Sequence, residues 1–166
     1  MALIVEDGTG KADADSYCSL AAASARHTAL GNAAWAALAN DAAREVALRQ
    51  ATQYMLQTYR SRWAGSRVSS TQALDWPRYD VWVDGFPILS DIVPPEVVNA
   101  CADLALKASA GELAPDVAAP VTEKTVGPIT VKYVQGARQT VQYRAVDGLL
   151  APFLTGGGNA IKVVRA

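Results

Sequence analysis

Four prolines fall between Ser66 and Pro95, at positions 77, 87, 94 and 95. Pro77 and Pro87 lack a backbone N–H and crowd the preceding turn, so regular helix cannot run through this segment. The chain is thereby split into a helical part before it and another after it. Long irregular connections inside compact domains tend to carry function.

The segment before the prolines has helical periodicity. Asp41 is placed to cap a helix from Ala42 to about Trp63. Ala47, Leu48, Ala51, Met55 and Tyr59 recur at three and four residues and share one face. Glu45, Arg49, Gln53, Gln57 and Arg60 keep the same rhythm on the other side. After the prolines, Pro95 suits the first turn of a helix running from Glu96 to about Glu112. Its polar residues, Glu96, Asn99, Asp103 and Lys107, form a narrow stripe, and most of the rest is Ala, Val, Leu or Cys. Such a helix must be covered on most sides. Four short helices of one chain can just cover it, and a neighbouring subunit would do so more easily.

The flanks follow from their breakers. Leu3-Ile4-Val5 reads as an extended arm broken at Gly8-Thr9-Gly10. Asp15 or Ser16 can cap a helix through Leu30, stopped by Gly31. A short helix at Ala33–Leu38 carries Trp35. The stretch from Pro115 to Pro128 is linker-like. Then the period changes to two. Ile129, Val131 and Tyr133 point one way, a turn falls near Gln135–Arg138, and Val141 and Tyr143 alternate again. This predicts a β-hairpin at about 129–144. A hairpin alone is marginal in water, so it needs the helices or another chain beside it. A helix at Ala145–Leu154 would supply Leu149, Leu150 and Phe153. Gly156-Gly157-Gly158 forms a hinge before the strand-like Ala160–Ala166. That tail, with Ile161, Val163 and Val164, suits either addition to a partner's sheet edge or a frayed terminus. The expected fold is mainly α: a bundle of four to five helices with a β-hairpin excursion (residues 1–155) and an extended C-terminal tail (156–166).

Composition bounds the rest. The 166 residues are 51% hydrophobic, but much of that is alanine, which buries little area. The core then depends on a few leucines, valines and aromatics, which is marginal for a monomer and comfortable for a subunit of an assembly. The formal charge of −1 and the pI near 5.8 give no general basic face for gripping phosphates. Cys18 and Cys101 form no CxxC pair and read as small buried hydrophobes of a reducing compartment. No signal-like leader and no membrane-spanning window are visible, so the expectation is a soluble protein made in a cytoplasm.

Catalytic patterns are missing. The single histidine, His27, lacks ligand-spaced or triad companions. Gly8-Thr9-Gly10-Lys11 glances at a phosphate loop, but Val5 and Ala12 stand where that motif needs glycine and Ser/Thr. Asp80 and Asp84 read as solvated loop acids. No enzyme activity, cofactor or metal is expected. The stretch that remains informative holds Arg60, Arg62, Trp63, Arg67, Trp76, Arg78 and Trp82. Arg and Trp are enriched where proteins meet. The same residues would equally serve as core plugs with arginines lying over them. These seven, with Ile161, Val163 and Val164 of the tail, are the candidate interface residues. The Arg60–Arg78 stretch and the loop after it are expected to meet a neighbouring subunit or a partner.

Several segments together carry a resemblance: Met1–Gly10, Ala14-Asp15-Ser16-Tyr17, Gly31–Trp35, Arg62-Trp63-Ala64-Gly65, Gln72–Arg78, Ile92–Val98 and Val126-Gly127-Pro128. The chain resembles, to about Leu154, a family of tailed-bacteriophage proteins labelled DnaT-like single-stranded-DNA-binding proteins. These are similar to the head–tail connector, or adaptor, proteins of siphophage necks. The resemblance implies a helical bundle with a hairpin, assembled as a dodecameric ring under the portal protein. Such a ring continues the channel through which genomic DNA passes without sequence-specific binding. It offers a platform to the next neck or tail-completion protein. It implies a virion component assembled in the host cytoplasm, with no membrane partner. The alternative is a single-stranded-DNA-binding module in phage replication. For that, Trp63, Trp76 and Trp82 would act as stacking platforms beside Arg60, Arg62, Arg67 and Arg78.

Overall fold

Helix α1 spans Leu20–Ala29, α2 Ala33–Ala36 and α3 Asp41–Tyr59. Their caps differ in detail from the sequence expectation. The Ser19 hydroxyl, not Asp15 or Ser16, accepts the Ala22 N–H at the start of α1. Asp15 is used elsewhere: its carboxylate accepts the Ile4 N–H and pairs with Arg49 at 2.7 Å. Asn40, not Asp41, caps α3, because Asn40 has the extended backbone a cap requires and accepts the Ala43 N–H. The computed structural model describes residues 2–116, 123–126, 129–132 and 141–156.

α3 stops at Tyr59, four residues before Trp63. The backbone beyond it has other partners. The Ala64 N–H donates to the Phe153 carbonyl, and the Thr155 N–H donates to the Arg62 carbonyl. This clamp ties the end of α3 to the far end of the described chain. The proline-rich segment then forms two small antiparallel pairs. β1 (Ser66–Arg67) pairs with β2 (Arg78–Tyr79), and β3 (Trp82–Val83) pairs with β4 (Phe86–Pro87). The Trp76–Pro77 bond is cis. Helix α4 spans Pro95–Ala108 with Pro95 in its first turn, as expected. It ends before Glu112, because the Ser109 hydroxyl takes the Leu106 carbonyl and the last turn tightens to i,i+3 bonds.

Strand β5 (Glu123–Val126) pairs with β6 (Ile129–Lys132), in the register Val126↔Ile129 to Glu123↔Lys132. The period-two run at 129 is thus a strand, but its partner precedes it. The short connection closes at a lower entropic cost than one through residues 133–140. Val141 and Tyr143 lie in no strand, and the turn expected near 135–138 lies outside the described residues. Helix α5 (Arg144–Leu150) runs into a 3-10 turn, Ala151–Phe153.

α4 sits at the centre, packed by α1, α3 and α5 of the same chain. Val97, Ala100, Cys101, Ala102, Leu104 and Ala105 are buried. On the polar stripe, Asp103 takes a two-pronged ion pair from Arg26 at 2.7–2.8 Å. The helix is central, as its narrow polar stripe implies, and helices of the same chain pack against it. Alanines 47 and 51 of α3 and 100 and 105 of α4 are buried, and beside buried leucines, valines and Met55 the core holds six large rings: Tyr17, Trp35, Tyr59, Trp63, Trp76 and Phe153. Counting alanine only as lost area missed its value as a close-contact residue.

Candidate functional site

Val81-Trp82-Val83-Asp84-Gly85-Phe86-Pro87 builds the most exposed apolar feature among the described residues. Asp84 and Gly85 have φ of 52° and 84°. A two-residue type I′ turn requires positive φ at both central positions, and Asp-Gly is a favoured pair for it. Trp82 stands opposite Pro87, and Val83 opposite Phe86. Opposed residues share a face and successive residues alternate, so Trp82 and Phe86 lie on opposite faces of the hairpin. Both are nonetheless open to solvent, Trp82 by 62% and Phe86 by 73%. In the segments that flank the hairpin in the chain, Leu89 is 63% exposed and Tyr79 is 46% exposed. The base is anchored. Val81 is buried, its carbonyl accepts the Ile88 N–H, and β3 packs on the Ala151–Phe153 turn. The hairpin is a finger on a rigid root.

Trp82 is the one tryptophan of the predicted set at the surface. Trp63 and Trp76 are core residues, 5% and 0% exposed. They sit edge to face at 5.7 Å, and Trp76 meets Phe153 the same way at 5.7 Å. Arg78 is buried as well. Its guanidinium donates to the carbonyls of Ala64, Gly65 and Asp75 at 2.7–3.1 Å. It staples the end of α3 to β2 and presents no charge to a partner. The close approach needs Gly65, whose φ is 63° and where a Cβ would overlap the Tyr79 carbonyl oxygen. Trp63, Trp76 and Arg78 are therefore removed from the interface candidates. Arg60 is exposed and reaches the buried Asp75 carboxylate at 3.3 Å. Half-buried Arg62 lies over the Tyr59 ring, and half-buried Arg67 donates to the Gln72 carbonyl. Ile161, Val163 and Val164 lie outside the described residues. Sequence reasoning missed Tyr79, Phe86 and Leu89. The signal for the hairpin was present in Asp84-Gly85 between apolar residues.

Over residues 1–166 the chain matches the family described as "Putative DnaT-like ssDNA binding protein". The chain belongs to that family. No curated protein and no solved structure matches it. The DnaT-like half of the sequence resemblance is thereby upheld, and the match says nothing of a place in a phage neck.

Among the described residues, several other groups that could carry chemistry are engaged in holding the fold of this DnaT-like protein. Glu6 is buried, and its carboxylate accepts the N–H groups of Gly8, Gly10 and Lys11 at 2.8–2.9 Å. The amides of the glycine-rich turn are thus taken up by the chain's own carboxyl group. Burial pushes the Cys18 thiol up to about 12 and raises Cys101 as well, so neither is a poised thiolate. A groove of about 600 Å³ lies beside α3, lined by Val46, Tyr54, Leu113 and glutamines. It contains no cysteine or histidine, and no group of three metal-ligating side chains occurs among the described residues. No described helix is long and apolar enough to cross a membrane.

His27 is a core residue. Its Nε2–H donates to the Ala102 carbonyl at 3.0 Å, and Asn32 Nδ2 donates to Nδ1 at 3.1 Å. Its ring rests on Trp35. Burial lowers its pKa from the ordinary 6.5, against the opposing pull of the Ala102 carbonyl and Asp103. The folded value lies below the unfolded one. The stability this group contributes is therefore complete above pH 6.5 and is lost as pH falls from there through the folded value. Urea midpoints taken between about pH 7.5 and about pH 5 should fall more steeply for the wild type than for His27→Gln. Parallel profiles would show that His27 is not held neutral by the fold.

Proposed function

We propose that this protein is a binding protein rather than an enzyme, and that it acts as a docking subunit: an adaptor in the neck of a tailed phage, seated against the portal and presenting a platform to the next neck or tail protein. One observation carries the reading. A core that closes within one chain leaves a rigid hairpin with large apolar side chains exposed on both of its faces. Large apolar side chains left exposed together on one small element mark an interaction site. The partners and the ring come from the family resemblance. The charge around the hairpin favours protein over nucleic acid. Between Tyr79 and Val93 there are three aspartates and no Lys, Arg or His.

The family description supports a second reading, binding of single-stranded DNA. Trp82 and Phe86 could stack bases. The positive groove that should accompany them is weak, since Arg78 is buried and Arg60 is paired with Asp75. One pair of measurements separates the readings. Titration with a labelled oligothymidine at low salt should stay flat. Portal rings mixed with the protein should be decorated in negative-stain images. Trp82→Ala/Phe86→Ala should abolish decoration while leaving the unfolding free energy within about 1 kcal/mol, since removing exposed side chains has small effects. Oligonucleotide binding that weakens steeply with salt would favour the second reading.

A further inference from the structure

We propose that the β3–β4 finger seats in an apolar slot of a partner protein that carries lysine or arginine at its mouth and at its floor, where Asp80 at the root and Asp84 at the tip supply the matching negative charge. This rests on the docking reading above and specifies the chemistry of the partner.

The shape argument comes from the register. Trp82 and Phe86 point to opposite faces, so a flat partner surface would cover one ring and leave the other wet. A slot covers both. The finger is built for insertion, because its turn is set by Asp84 and Gly85 in the left-handed region and its root is tied to the core at Val81. A preformed element loses little conformational freedom on binding.

The charge argument comes from what the aspartates lack. Asp80, Asp84 and Asp91 are exposed, and their carboxylates have no hydrogen bond or ion pair among the described residues. No cation lies between Tyr79 and Val93 to neutralise them. Burying the aromatic rings brings Asp80 to the rim of the contact and Asp84, at the turn, to the bottom of the slot. An acidic or neutral rim would repel it or leave it unpaired, and a phosphate backbone would repel it too. A basic rim converts the same charge into steering of the encounter.

The backbone makes the test clean. Asp80 and Asp84 both have positive φ, 59° and 52°. Asn tolerates that region as Asp does, so Asp→Asn removes charge and keeps the turn. The full chain and its variants are measured against immobilised portal protein at about 50 mM and about 500 mM salt, where the Debye length shrinks several-fold. Asp80→Asn/Asp84→Asn should slow association about ten-fold or more at low salt, with the difference closing at high salt. Trp82→Ala/Phe86→Ala should speed dissociation by roughly 30-fold or more at both salts. Both variants should keep the wild-type melting temperature. If the aromatic variant fails while the Asn variant associates like wild type at every salt, docking stands and the basic slot is wrong. If the aromatic variant binds normally, or wild type ignores the portal, the docking reading falls and takes the slot with it. Salt-sensitive capture of oligothymidine through Trp82 and Phe86 would assign the finger to nucleic acid and overturn the proposal.

Discussion

Arg78→Met should lower the unfolding free energy by about 3–5 kcal/mol, the range for breaking a buried, fully bonded charge network. The side chain is 7% exposed and donates to three main-chain carbonyls, those of Ala64, Gly65 and Asp75. Methionine keeps much of the volume and none of the donors. The carbonyls freed in the interior then lose their partner without gaining water. Asp75 adds to the effect. Burial already raises its pKa, and Arg60, Arg78 and Arg67 are the charges that oppose the rise. Against a typical total of about 5–15 kcal/mol, such a loss should bring the urea midpoint down by a large fraction. Arg78→Lys should recover only a small part, because a single ammonium on a flexible stem cannot span acceptors on either side of the fork. Unfolding of Arg78→Met within about 1 kcal/mol of wild type would mean that the staple contributes little.

Trp76→Ala should destabilise by about 3–5 kcal/mol, as large aromatic truncations in cores do. Trp76 has no measurable exposure and stands between Trp63 and Phe153 in a row of rings that continues through Tyr59 and Tyr54 to Tyr143. Removing it opens a cavity at the point where α3's end, the proline-rich segment and the final 3-10 turn converge. A double-mutant cycle with Trp63→Phe should show a coupling of about 0.5–1.5 kcal/mol, the range for edge-to-face pairs. Additive effects would show that the two rings pack independently. Both substitutions bear on the DNA question. A loss of oligonucleotide binding in Trp76→Ala/Arg78→Ala would report unfolding, so Trp82 and Phe86 are the residues on which stacking is fairly tested.

The helices were legible because their signals are local. Ala47, Leu48, Ala51, Met55 and Tyr59 share one face by their spacing, and all are buried. Pro95 marked the start of α4 and Gly31 the end of α1. Ends and caps were less legible, since Asn40 and Asp41, or Ser16 and Ser19, are chemically near-equivalent until the backbone angle selects one. The hairpin at 129 was half legible. Alternation identified the strand, but alternation carries no information about which neighbouring segment supplies its partner.

The order of helices and the breaks between them belong to the sequence by itself, because they depend on residues within a few positions of one another, and membership of the DnaT-like family rests on the order of segments along the whole chain. Which tryptophan faces the solvent was decided only in three dimensions. Trp63, Trp76 and Trp82 share one side-chain chemistry and lie within twenty residues of one another in the chain. Burial is a sum over neighbours, and those of Trp76 arrive from as far away as Phe153. No local pattern encodes that sum, so the same indole closes the core at one position and reaches for a partner at another.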